Sequence, residues 1–471
     1  MWVVTINEKN KLRVYTLNRL PPEVVAVAFA KSSRSPEPFD IIADELSDEK
    51  SAKFHEKWVV GYGHSSVAEH AVLSIAIENV SILATKIIED NRLASYTEKS
   101  TRYQVFDKTK YYKPKKLMES SLGRVYEETS DFIFDSYVEM IKVIIPFLKK
   151  KYPQENQPDK LYEIQINNKA LDNIRYVLTV ATLTNLGMTI NARNLEHAAV
   201  KLLSHPLKEM KDIGKKIKEA AVKVTPTLIK YVEPNTYLIE TEKDLQAEAD
   251  SIAINSEAQI EGNMVTLVEF DEDAENKVIC GILYRFTNHT YNEIKKRVMY
   301  MQREEKEKII DYALKKIGKF DWPIRELEHC YYTFDILMDY GAFRDVQRHR
   351  MVTQTNQELG IDHGYCIPEE VKEAGLENIY RECMKRAEES FNNIKKEFPK
   401  EASYIVPLAY RKRTLFKCNL RELYHFIKIR SGKRGHVSYR KIAQEMYLLI
   451  KEKHPLLSKY IEVDMSYQFL N

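Results

Sequence analysis

The chain has 471 residues, and its 72 Lys and Arg against 69 Asp and Glu leave a net charge of only +3. So even a balance supplies no broad basic face for nucleic acid, and any anion site must be local. With 44% hydrophobic and 30% charged residues, a globular protein of two or three domains is expected. With no apolar run near the ~18 residues of a membrane span and no charged-then-apolar leader, the expected location is the cytoplasm.

In chain order, MWVVTINEKN reads as a β-like run and VVAVAF (residues 24–29) as a strand. SVAEHAVLSIAIENVSILATKIIE (66–89) has apolar residues at three-to-four spacing and reads as an amphipathic helix led by the pair Glu69-His70. An Arg-bearing segment, DNRLASYTEKSTRY (90–103), follows, and later INARNLEHAAVKLL (190–203). Residues 233–262 are polar and acidic and read as a connector. Beyond it MVTLVEF (264–270) reads as a strand. IRELEHCYYTFDILMDYG (324–341) reads as an apolar helix led by Glu328-His329. RHRMVTQTNQELGI (348–361) comes next, then the helix CNLRELYHFIKIR (418–430), with Leu420, Leu423, Phe426 and Ile427 as its buried stripe. Cys280, Cys330, Cys366, Cys383 and Cys418 show no CxxC spacing and an odd total, so they read as structural thiols rather than a zinc or disulfide set.

Four landmarks recur in one order on either side of the connector: a β-like run, an acid-His pair, an Arg-bearing segment, and an Asn followed by Arg and His at matching spacing. That order is the mark of a duplicated domain. The motifs themselves, His-x-Ser-x-x-Glu-His, then RHRxxSxxExSxR, then NxRxLxHFxxLR, resemble those of the flavin-dependent thymidylate synthases. The resemblance implies an α+β fold in two tandem copies, a mixed sheet packed with long helices, over residues 1–232 and 263–471. It also implies reductive methylation of dUMP at C5, with methylenetetrahydrofolate as carbon donor, FAD as redox carrier and NADPH as reductant. The alternative is a repurposed, catalytically silent nucleotide- or flavin-binding protein, or a flavin enzyme with another pyrimidine substrate.

In that family each site draws one group of residues from one subunit and a second group from its neighbour. By resemblance, the second copy supplies Arg348 and Arg430, which would polarise the uracil carbonyls, and Arg350 with His349. The first copy has Asp90, Asn91, Arg92 and Leu202 at the equivalent places. Conversely, the first copy keeps Glu98, Ser100, Arg102 and Arg175 for the nucleotide phosphate and sugar, where the second has Asn356, Glu358, Gly360 and Ser403. One composite site is therefore expected to be complete and its mirror degenerate.

FAD contacts implied by the resemblance are His349, Arg350, Asn419, Arg421 and His425, together with His64, Ser66, Asn191, Arg193 and His197 of the first copy. A buried core position is the competing reading for His197, and an orienting hydrogen bond within the pair that for Glu69-His70 and Glu328-His329. The run GHVSYR (435–440) departs from the family's usual AQWEIR. The family's tetramer implies a homodimer of this fused chain, a pseudo-tetramer. The connector is long enough for the complete site to form within one chain or between two.

Overall fold

The computed structural model describes residues 12–17, 20–33, 35–46, 65–230, 232–252 and 263–466; His64 and the run MWVVTINEKN lie outside the described residues. The first copy runs through helix α1 (Pro22–Ser32), a 3-10 turn (Ser65–His70), strand β1 (Val72–Ser81), α2 (Ile82–Ile88), β2 (Ala94–Glu98), α3 (Gly123–Lys151), α4 (Asp159–Ile174), a 3-10 turn (Arg175–Val177), β3 (Leu183–Asn191), α5 (Ala192–Ser204) and α6 (Lys208–Val222). After α7 (Thr236–Ser251), the second copy contains β4 (Val265–Phe270), a 3-10 turn (Arg325–His329), β5 (Tyr331–Asp339), α8 (Tyr340–Val346), β6 (Thr353–Asn356), α9 (Glu377–Lys395), a 3-10 turn (Glu401–Ile405), β7 (Arg411–Asn419), α10 (Leu420–Ser431) and α11 (Val437–Lys453). The order of turn, strand, short helix and short strand, then a later strand and helix, is the same in both copies.

Among the described residues two sheets form, with strand orders β1-β3-β2 and β4-β5-β7-β6. Every pair in the second sheet is antiparallel, so that sheet is not mixed. The segment around Val72–Ser81 and its equivalent Tyr331–Asp339 are strands, not the expected amphipathic helices. A run buried on both faces, as β5 is, carries no period that separates strand from helix. Each strand ends at a residue that caps the following helix: the Ser81 side chain accepts from Ala84 N–H and Asp339 from Ala342 N–H. VVAVAF is also corrected, because it lies in α1. Pro22 opens that helix with its φ preset, and Val24, Ala26, Val27 and Ala28 are buried. MVTLVEF and the helix at 420–431 are as expected. Most of the connector is α7, which buries no residue. Four of the five cysteines are buried and all are free, which fits small core side chains.

The chain forms two compact units, the first of residues 1–77, 93–97 and 186–251, the second of 78–92, 98–185 and 252–471. The cut does not follow the copies, since residues 98–185 of the first copy belong to the second unit. Within the first unit, the buried Glu23 carboxylate accepts the backbone N–H groups of Thr227 (2.9 Å) and Leu228 (3.2 Å).

Within the second unit the copies meet through backbone hydrogen bonds that repeat reciprocally. Leu408 N–H donates to Leu178 O and Val180 N–H to Val406 O; Ala409 N–H donates to Tyr176 O and Ala181 N–H to Tyr404 O. The bridge between Thr179 and Pro407 lies at the centre of this exchange. Residues 178 and 406, 176 and 404, and 180 and 408 are equivalent in the two copies, so the contact is a local pseudo-twofold.

Removing the buried acceptor in the first unit should cost stability: Glu23→Ala is expected to destabilise by about 1–3 kcal/mol, because two backbone N–H groups lose their partner out of water. Urea unfolding of the purified variant checks this.

Candidate functional site

The residues from the first copy come together in the second unit. Arg175, 4% exposed, begins the 3-10 turn that leads directly into the pseudo-twofold. Its Nη1 donates to Thr101 Oγ1 at 3.3 Å, and its Nη2 lies 3.4 Å from Asp172 Oδ1. Arg102 Nη2 donates to the other oxygen of Asp172 at 2.6 Å. Burial opposes the charge on Arg102, but Asp172 holds its pKa above the ordinary value. Buried Asp172 is likewise held ionised, chiefly by Arg175. One carboxylate thus serves two guanidiniums, and Nε of Arg102 with Nε and Nη2 of Arg175 have no hydrogen-bond acceptor among the described residues although they are out of water. Ser100 accepts the Arg102 backbone N–H at 3.1 Å, which fixes the turn that carries Arg102.

Glu98 is placed differently from the expectation. Its carboxylate accepts from Arg344 Nη2 (2.9 Å), Thr85 Oγ1 (3.0 Å) and Lys86 Nζ (3.0 Å), so it closes a buried ion cluster beside the arginines. Thr101, 1% exposed, joins the two sets by accepting from both Arg175 and Arg344.

The second copy brings its own group to the same unit. Arg430 Nε donates to His349 Nε2 at 3.0 Å, its Nη1 is 3.4 Å from Asp345, and its Cζ sits 5.4 Å from the centre of the Tyr439 ring. Tyr439 is also near enough to Arg102 for the two to interact electrostatically. Tyr176 OH of the first copy lies 3.2 Å from His436 Nδ1 and 3.2 Å from Ser438 Oγ of the second. The GHVSYR run therefore contributes His436, Ser438 and Tyr439 to this junction. Its Arg440 is buried instead against the chain end, donating to Ser431 O and Ser466 O. Arg348 is 60% exposed and has one long ion pair, 3.7 Å to Asp345. Glu98, Ser100, Arg102, Arg175, Arg348 and Arg430 all belong to the second unit.

Several expected flavin contacts have structural partners. Asn191 and Asn419 cap α5 and α10 by accepting from Asn194 and Glu422 N–H. Arg421 donates to Glu328 (2.9 Å) and Pro323 O (2.8 Å), and Arg193 pairs with Glu69 in the same way. Each Glu of the Glu-His pairs thus binds that Arg rather than orienting its own His. Arg350 Nη1 donates to Arg92 O at 3.0 Å, while Arg92 Nη2 reaches Val352 O at 3.0 Å, a second reciprocal clasp between copies. His425 stacks on Trp322 at 5.2 Å and 23°. Ser66, Asn191, Arg193 and His197 lie in the first unit, where Ser66 and His197 are exposed, so His197 is not a core histidine.

Sequence reasoning missed Lys86, Thr101, Asp172, Arg344 and Tyr439. Lys86 and Arg344 occupy the same position in the two copies, each a cation inside an apolar segment, and that coincidence was the available signal.

The model of the thymidylate synthase complementing protein family matches residues 14–227 and again 266–456. A UPF0159 protein of Chlamydia pneumoniae is 34% identical over 488 residues, covering 96% of this chain and 92% of the relative. A UPF0159 protein of Thermoplasma acidophilum is 28% identical over 454 residues, covering 89% and 90%. A protein of Clostridium tetani named flavin-dependent thymidylate synthase is 30% identical over 233 residues, covering 49% of this chain and 89% of its own.

The ion cluster predicts an acid limb in stability. Burial pushes the Glu98 carboxyl up, but Arg344 and Lys86 outweigh it and hold the pKa at about 2 against an ordinary 4.5. A depressed folded pKa stabilises above the unfolded value and is lost as pH falls from 4.5 through about 2. That shift corresponds to ~3 kcal/mol. Glu98→Gln should remove the limb, and should destabilise the protein at neutral pH by about 3–5 kcal/mol because buried Arg344 loses its counter-charge, while Lys86 keeps Glu89. Unfolding of both proteins across that pH window tests both effects.

Proposed function

Since the chain belongs to the thymidylate synthase complementing protein family over both copies, we propose that it is a flavin-dependent thymidylate synthase. It converts dUMP to dTMP, taking the carbon from methylenetetrahydrofolate, with FAD as redox cofactor and NADPH as reductant. Residues 1–232 and 263–471 are read as its two synthase copies, joined by 233–262. One observation carries the reading. Arg102 and Arg175 of the first copy, with buried nitrogens lacking acceptors, lie in the same compact unit as Arg430 and Arg348 of the second. Guanidinium groups in that condition suit the oxygens of a phosphate dianion, which they bind through charge-assisted pairs.

In this reading Arg102, Arg175 and Ser100 hold the phosphate and sugar of dUMP, while Arg430 and Arg348 face the pyrimidine and stabilise negative charge on its carbonyl oxygens. Glu98 supports this set through Arg344 and Thr101. For FAD the fit lies in the flat His425 face backed by Trp322. Arg350, Asn419 and Arg421 of the second copy, which have partners within the protein, act by shaping the backbone around it. The chemistry bound FAD supplies is hydride transfer; the chain's own part is orientation and electrostatics. The mirror position lacks the arginines a phosphate needs: Glu358 there pairs with Lys400, and Ser403 donates to Leu359 O. A homodimer in the cytoplasm, with two competent sites, is the assembly we propose.

The purified protein should show flavin absorbance and release tritium from dUMP labelled at C5. Arg102→Ala and Arg430→Ala should each weaken dUMP binding by about 10–100-fold, the worth of one charge-assisted contact. A protein that binds no FAD, or dUMP affinity untouched by Arg102→Ala, overturns the reading, and calorimetry finding four equivalent dUMP sites per dimer overturns the asymmetry.

A further inference from the structure

We propose that Glu422 and His349 form a positioning relay that sets the guanidinium of Arg430 for the pyrimidine, an inference that rests on the reading of Arg430 as a substrate contact. The chemistry of the two contacts fixes the proton. An arginine Nε can only donate. His349 Nε2, 3.0 Å from Arg430 Nε, must therefore accept, and carries no hydrogen. The single proton of the neutral ring is then on Nδ1, where Glu422 Oε1 accepts it at 2.9 Å. Both ring nitrogens are engaged, and the ring is buried edge-on against Phe426 at 4.7 Å and 66°. His349 is thus oriented toward Arg430 rather than offered to a ligand as a hydrogen-bond partner.

The ends of the relay are anchored as well. Glu422 stands in the first turn of α10, its N–H donating to the Asn419 cap at 2.9 Å. Arg430 lies near the end of the same helix, so His349 bridges two residues of α10 from outside it. Asp345 takes the far edge of the guanidinium and Tyr439 its face. The first copy has Asn91, Asn194 and Leu202 at the three relay positions. All three are different together, as expected of groups that work as one.

The charged and titratable groups that face His349 are Glu422, Arg430 and His425 of α10, with Asp345 and Arg348 beyond Arg430. Burial, helped by Arg430, lowers the His349 pKa below the ordinary imidazole value of 6.5, while Glu422 raises it. Acidification would add a proton at Nε2, set N–H against N–H, and release Arg430.

The test is the dUMP dissociation constant as a function of pH, by calorimetry on the flavin-loaded protein, for wild type, Glu422→Gln and His349→Gln, together with nitrogen-15 histidine NMR. Wild type should lose affinity on the acid side. In Glu422→Gln that limb should move to lower pH, with affinity at neutral pH reduced by up to about tenfold. His349→Gln keeps an acceptor for Arg430 without a titrating group, so its acid limb should shrink to the part that the dUMP phosphate supplies. The second ionisation of the dUMP phosphate, near pH ~6, acts on all three proteins alike. NMR should place the His349 proton on Nδ1. An acid limb unmoved by Glu422→Gln, or a proton on Nε2, overturns the relay alone. Wild-type protein that binds no dUMP at any pH overturns the functional reading and the relay with it.

Discussion

The reciprocal backbone hydrogen bonds between residues 176–181 and 404–409 set the geometry on which the site depends. Buried peptide groups must find partners, and here each copy supplies the other's. The exchange leaves little freedom in how the copies meet within the second unit. Arg175 immediately precedes this segment, and its equivalent Ser403 precedes the matching one. The same clasp that joins the copies therefore delivers a guanidinium from one side and a hydroxyl from the other, and the asymmetry of the sequence becomes an asymmetry of charge.

Cations withdrawn from water have to be compensated. Lys86 and Arg344 are compensated within the protein by Glu98 and, for Lys86, by Glu89, and that cluster acts as a floor. Arg102 and Arg175 share Asp172 and remain short of acceptors. The contrast is one of charge, two guanidiniums on one carboxylate against two cations with Glu98 and Glu89, since Arg344 too has a buried Nε without an acceptor among the described residues. It explains why Glu98, though adjacent to the nucleotide-side arginines in sequence, supports them instead of standing with them.

Much of this was legible in the chain. The duplication, the helix at 420–431 and the complementary losses in the two copies could be read directly, because an Arg, a His or an Asn cap is conspicuous at fixed spacing. Residues 331–339 were misread as a helix because an apolar run buried on both faces of a sheet lacks the alternation that marks a half-exposed strand; residues 72–81 form a half-exposed strand, but apolar Val72 and Ala76 on its exposed positions hid the period of two. VVAVAF was misread in the opposite sense, since β-branched residues favour strands while Pro22 and the burial of one face decided for helix. Asp172, Thr101 and Tyr439 were illegible for a different reason. Their role arises only when segments far apart in sequence meet, and nothing local marks them.

Joining both arginine groups in one polypeptide changes how the site responds to dilution. When halves come from separate molecules, occupancy of the intact arrangement falls with protein concentration. When both are carried on one compact unit, their mutual effective concentration is set by the fold and is constant. Each copy is also released from having to serve as both halves. A substitution at residue 98 or 102 no longer alters the partner half as well, and the two halves can diverge separately.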